Sequence, residues 1–157
     1  MKTKRIKAPK IIGRREFISF PELGIENVDA KIDTGAYTCA VHCAEIGENT
    51  NELGKYLWFC LPDYTESKSP RKEFHFKDYT KKRIKSSSGE YEERYVIKTP
   101  VSLGKRRINT TISLTNRGNM RHPVLIGRKF LKRKFIVDVS QLHTGGISLS
   151  VFFNTFK

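Results

Sequence analysis

An all-β fold is the class this sequence predicts, and three observations carry the prediction. Apolar residues alternate with polar ones at a period of two in short runs, clusters rich in Gly, Pro, Asn and Ser break those runs, and helical spacing of apolar residues is scarce. The length, 157 residues, suits one domain with its own core and is too short for two full lobes.

Residues 1–10 are basic, contain Pro9 and show no periodicity, so they are expected to form a flexible arm, with the folded domain running from 11 to 157. Strands are predicted over 16–20 and 28–32, separated by the turn Pro21-Glu22-Leu23-Gly24; Val28, Ala30 and Ile32 share one face. Strand structure resumes over 40–46 and gives way to a polar loop at 48–52. Residues 56–61 are apolar on both faces and read as a buried strand ending at Pro62, followed by a polar loop over 63–73 and a short strand marked by Phe74 and Phe76.

In the second half, Ser86-Ser87-Ser88-Gly89 is a strong turn between a basic stretch and a strand over 91–98. Residues 101–103 and 108–114 read as a hairpin about Gly104-Lys105, with Ile108, Thr110, Ile112 and Leu114 on one face. The apolar run Val124-Leu125-Ile126 ends at Gly127, and residues 128–134 suit one or two helical turns. Strands over 135–139 and 147–153, joined through Gly145-Gly146, close the chain.

Lys and Arg number 30 against 16 Asp and Glu, a formal charge of +14. Such a field attracts anions of every kind, but aromatic residues do not interleave with the basic clusters and no zinc-finger or RNA-recognition signature appears, so nucleic-acid binding is kept only as the least favoured function. Lys129, Lys132, Arg133 and Lys134 could hold an acidic tail, although an exposed helix face explains them as well. No stretch of signal-peptide or membrane-spanning character is present, and three cysteines suit reduced thiols, so the expected location is the cytoplasm, away from any membrane.

The tripeptide Asp33-Thr34-Gly35 occurs once, after an alternating strand and before small residues. A hydrolytic carboxylate needs a rigid seat at a strand end, a neighbour such as Thr34 that bonds nearby backbone, and a Gly such as Gly35 that admits another segment closely. The same three residues also make an ordinary turn. Cys39, His42 and Cys43 invite a metal reading, but on a strand the cysteines face away from the histidine, so no metal is expected there and the thiols read as buried structural groups. Ser87 and Ser88 read as turn residues rather than nucleophiles.

Ala30 to Ala36 near the start and Val124 to Leu131 near the end, in that order, together resemble retropepsins. Further segments extend the likeness from about residue 11 to residue 140: Ile12 to Glu16, Pro21 to Ile25, Ala36-Tyr37-Thr38, His42, Ser87-Ser88-Gly89, Leu114 to Arg117 and Met120-Arg121. They resemble a bacterial and archaeal retropepsin-like family that has also been labelled an ATP-dependent zinc protease. Neither term of that label has support here, since the chain holds no His-Glu-x-x-His motif and no Gly-rich Lys-Ser/Thr loop; no cofactor is expected.

The resemblance implies a closed retropepsin-like barrel with one short C-terminal helix, and aspartic-peptidase activity. It implies Asp33 as the catalytic carboxylate, supported by Thr34 and Gly35, with Ala36, Ser87, Ser88, Gly89, Ile126 and Gly127 against the substrate and Arg128 and His42 as structural support. One such tripeptide per chain implies a homodimer. A flap is expected at the turn 86–89 or, less favoured, at 103–105. Family members are often encoded near ATP-grasp ligases that add glutamate to proteins, which implies a functional link to such a ligase and a peptide or protein substrate that is acidic. At the position after Ala36 many retropepsins place an acid that pairs with the arginine of the C-terminal motif; here it is Tyr37, so Arg128 needs another partner. The alternative function is a non-catalytic module of the same fold that binds acidic peptides or proteins.

Overall fold

The alternation over Arg15–Phe20 turns Glu16, Ile18 and Phe20 inward and leaves Phe17 on the surface, and this inward row is one stave of a barrel. A computed structural model describes residues 7–62, 72–85, 88–116 and 121–148. Lys10–Ile12 forms β1, Arg15–Phe20 β2, Ile25–Ile32 β3 and Cys39–His42 β4. Glu45–Asn51, Gly54–Leu61 and Lys72–Phe76 form β5, β6 and β7, and Thr80–Lys85 and Tyr91–Leu103 form β8 and β9. Arg106–Thr115 is β10, Val124–Ile126 β11, Arg128–Leu131 the helix α1, Phe135–Val137 β12 and Ile147–Ser148 β13.

Six strands run in the order β10-β4-β11-β3-β2-β9, and pairing of β9 with β10 closes the ring, with β8 added outside β9. Closure gives each of those six a neighbour on both sides along at least part of its length. The fold is therefore the all-β, retropepsin-like barrel with one short helix that the sequence predicts. Val28, Ala30, Ile32, Val101, Leu103, Ile112, Leu114, Val124 and Ile126 fill it, each at most 6% exposed. The sheet β5-β6-β7 packs Leu57, Phe59 and Leu61 into the same core, Phe59 lying 5.4 Å from Phe74 and 5.6 Å from Phe76. A third sheet, β12-β1-β13, takes Lys10 into its central strand.

Several local expectations are corrected. Glu48 to Asn51 are strand rather than loop, because polar residues suffice on the outer rows of a hairpin whose register to β6 runs unbroken from Glu45 to Asn51. Residues 56–61 alternate, with Leu57, Phe59 and Leu61 buried and the residues between them half-buried, so only one face is core. The basic stretch before the Ser-rich turn is a strand, β8, and β9 continues through Pro100 instead of breaking there. Pro100 lies where the outer edge of β9 has no partner, between Val96, the last pair with β8, and Ser102, the first pair with β2. The last two strands are short, and the part of the predicted strand beyond Ser148 lies outside the described residues, as do residues 1–6 of the arm. Among the described residues no helix is long and apolar enough to cross a membrane.

Candidate active site

Strand β3 delivers Asp33 to one end of the barrel, where β11 lies parallel to it in the register Leu125↔Lys31 and Ile126↔Ile32. The backbone N–H of Asp33 donates to the Ile126 carbonyl at 2.9 Å, the Gly35 N–H donates to Asp33 Oδ1 at 3.0 Å, and the Ala36 N–H donates to the Asp33 carbonyl at 3.3 Å. Two backbone donors and one acceptor thus hold the residue and orient its carboxylate. Asp33 is half-buried, while Thr34, Gly35 and Tyr37 are exposed, so the loop is rigid at its root and presents its tip to the outside.

The helix α1 locks the far side of this loop. A four-residue helix is marginal alone; this one is held by Phe130 and Leu131, both buried, each contributing roughly 1.5–3 kcal/mol. Its first two N–H groups, of Arg128 and Lys129, donate to the carbonyls of Ala36 and Tyr37 at 2.8 and 2.9 Å. Arg128 finds the partner that the absent acid leaves it without: its guanidinium donates to the Thr34 carbonyl at 3.1 Å and lies 5.9 Å from the Tyr37 ring centre. The carbonyl of Thr34 is therefore engaged from within the chain.

A cleft of about 570 Å³ opens beside Asp33. Its floor is Gly35, Ala36, Thr38, Ala40 and Leu125, and its opposite wall is the hairpin β8–β9, through Ile84, Lys85, Glu92 and Arg94. Arg94 and Glu92 are ion-paired across that wall. Between the two strands of this hairpin the described turn residues include Ser88 and Gly89, the latter at φ +87°, a left-handed geometry that Gly adopts without strain. The other candidate turn, at Gly104, joins β9 to β10 at the end where the backbone of Gly145 passes.

The site residues named from sequence divide accordingly. Asp33, Gly35 and Ala36 line the cleft. Ile126 and Gly127, expected against the substrate, lie beneath the loop: Ile126 is fully buried, and the neighbour that reaches the cleft is Leu125, because alternation along β11 sends successive side chains to opposite faces. Ser88 and Gly89 sit between the two strands of the hairpin; Ser87 lies outside the described residues. His42 is half-buried at the end of β4, its N–H donating to the Pro123 carbonyl at 2.8 Å, paired with Thr115 of the cleft wall. Lys85, Glu92 and Arg94 went unnamed from sequence, and only their alternation about the Ser-rich turn could have placed them together.

The thiols offer little chemistry. Burial pushes Cys39 up to about 11 and Cys43 up to about 12, so both stay protonated near neutrality. Among the described residues no group of three or more His, Cys, Asp and Glu gathers as a metal would require.

Comparison with known proteins agrees with this fold. A family model described as the retropepsin-like aspartic endopeptidase RimB matches residues 11–145. Proteins named probable alpha-L-glutamate ligase from Shewanella halifaxensis and Desulfotalea psychrophila are each 34% identical over 131 residues, 83% of this chain. A third, from Parasynechococcus marenigrum, is 27% identical over 136 residues. The chain spans only 28–29% of the length of these relatives. The crystal structure of a Legionella pneumophila protein of unknown function is similar at a TM-score of 0.68 and 26% identity, over 87% of this chain and 98% of that one.

Proposed function

We propose that this chain, which belongs to the RimB-like family of retropepsin-like aspartic endopeptidases, is an aspartic peptidase that works as a homodimer. The observation that carries the reading is the seat of Asp33: a half-buried carboxylate oriented by the Gly35 N–H at 3.0 Å, at the root of an exposed loop, beside a cleft walled by a hairpin. Each chain brings one such carboxylate, and a hydrolytic dyad needs two, so the second comes from another copy across a two-fold axis.

Two carboxylates that close cannot both ionise, so they share a proton. The ionised one draws a proton from a bridging water, whose oxygen attacks the scissile carbonyl carbon; the protonated one donates to the carbonyl oxygen. The β8–β9 hairpin is the flap that covers the peptide and excludes bulk water. The relatives' names, together with Lys85 and Arg94 on the cleft wall, support a glutamate-rich peptide as substrate and a functional partnership with a glutamate ligase.

Cleavage of an acidic peptide library from pH 3 to 8 tests the mechanism, with Asp33→Asn beside wild type and the oligomeric state recorded in the same samples. Asn keeps an oxygen for the Gly35 N–H, so the variant is expected to fold and dimerise while losing cleavage by a factor of at least about 10³. A second reading, a module that holds acidic peptides without cutting them, is favoured by the match to chains named for ligation rather than hydrolysis. A dimer that binds hexaglutamate equally well with and without Asp33→Asn, and cleaves nothing at any pH, would decide for it.

A further inference from the structure

Away from the Asp33 cleft, a second concavity of about 520 Å³ is lined by Lys7, Lys105, Arg106, Arg107, Ile108, Arg133 and Lys134. Six of these seven side chains are cationic. Strand β10 runs between the two places: Ile108 borders this pocket and Ser113 borders the cleft, five residues or roughly 17 Å away. Among the described residues the only carboxylate paired with any of the six is Glu22, 3.7 Å from Arg107.

Arg106 sharpens the point. It is 9% exposed, yet its guanidinium donates to two neutral acceptors, the carbonyls of Lys134 and Ala8, both at 2.6 Å, and lies 5.4 Å from the Phe135 ring centre. A charge taken this far out of water is ordinarily matched by an opposite one, and here no described residue supplies it. The two carbonyl bonds hold the side chain in one place, so its charge is already positioned. Arg133 adds a second sign, standing at φ +65° just past the end of α1, where Gly would be less strained than a residue with a side chain.

We propose that this pocket binds a compact oligophosphate, in which several negative charges lie within a few ångströms of one another. Planar guanidinium forks match phosphate oxygens in pairs, and three of the six cations are arginines. An extended acidic peptide brings one charge per residue and alternates its side chains between two faces, so it sets fewer charges within one short stretch of surface than an oligophosphate does. Among the described residues no aromatic ring lines the pocket to stack a base, so the phosphate itself is what is recognised.

Titration calorimetry of the full chain with sodium tripolyphosphate at fixed ionic strength tests this. Saturable binding of one ligand per chain is expected, unchanged by Asp33→Asn and weakened at least about tenfold by Lys105→Gln combined with Arg133→Gly. Both positions are exposed, and Gly relieves the backbone at 133, so Arg133→Gly alone is expected to keep or raise the melting temperature while weakening binding. Weakening tripolyphosphate binding without loss of stability separates a ligand role from a structural one. Three results overturn the proposal: an affinity no greater than that for sulfate, binding unmoved by the substitutions, or tighter binding of hexaglutamate or a single-stranded oligonucleotide at the same site.

Discussion

Gly127 occupies a position where the fold tolerates no side chain. A Cβ there would lie 2.7 Å from the carbonyl oxygens of both Tyr37 and Thr38, which belong to the loop that carries Asp33. Gly127→Ala is expected to cost about 1–3 kcal/mol in urea unfolding and to push that loop off its seat, lowering cleavage along with stability. An unchanged unfolding midpoint would show that the loop gives way freely. The two short motifs that hold Asp33, Gly35 and Gly127 were legible in the sequence, because the parts of each are neighbours in the chain, but the place of Gly127 under the loop rather than in the cleft was not. Glu16 was not. It is fully buried and accepts from the N–H groups of Gly13 at 3.1 Å, Thr144 at 3.0 Å and Gly145 at 2.7 Å, tying the start of the barrel to a segment 128 residues away. In sequence it is one polar residue in an alternating run, at an inward position where such residues are rare, and only its distant partners explain it.

Elements join through Glu48 of β5. Its carboxylate takes the Tyr79 hydroxyl at 2.7 Å and the Tyr95 hydroxyl at 3.0 Å, and pairs with Lys81 of β8 and with Lys55 of β6 at 3.1 Å. The bond from Lys81 and then that from Tyr79 pull Glu48 down to about 2 from its ordinary 4.5. A carboxylate whose folded value is depressed contributes stability that is present above its unfolded value and lost as the pH falls through the folded one. The link between the small sheet and the β8–β9 hairpin is therefore expected to weaken between about pH 4.5 and 2. Protection of the β8 amides, taken relative to their intrinsic exchange rate at each pH, should fall over that interval in wild type and be insensitive to it in Glu48→Gln; equal pH dependence of protection in the two would remove Glu48 from the account. This junction was hidden in the sequence, since residues 48–52 read as a loop and 81–85 as a basic stretch. Both are outer rows of hairpins, where polar residues carry no apolar alternation to betray the strand. The apolar staves, β2, β3, β10 and β11, were legible because one face of each is core.

At the scale of the whole molecule, the barrel closes on its own strands, whereas the proposed dyad needs two chains. Closure through β9 and β10 buries the core within one chain, so a single copy is expected to fold. Thr34, Gly35 and Tyr37 are exposed, so Asp33 stands near a surface, and the proposed mechanism needs a second copy there to complete a dyad. Folding and activity therefore separate, and a mixing experiment reads the separation. Adding an equal amount of Asp33→Asn chain to a fixed amount of wild type, with time for exchange, leaves about a quarter of all dimers wholly wild type. As the number of dimers has doubled, activity from the same wild-type protein should fall to about half, and further as more variant is added. A site complete within one chain predicts no change at any ratio. Dilution gives the complementary reading, for activity per chain should drop as dimers dissociate while the circular dichroism of the barrel stays constant. Arg128 engages Thr34 within its own chain at 3.1 Å instead of pairing with an acid after Ala36, so the dimer is expected to dissociate at higher concentration than a Tyr37→Asp variant, in which that acid is restored beside the guanidinium.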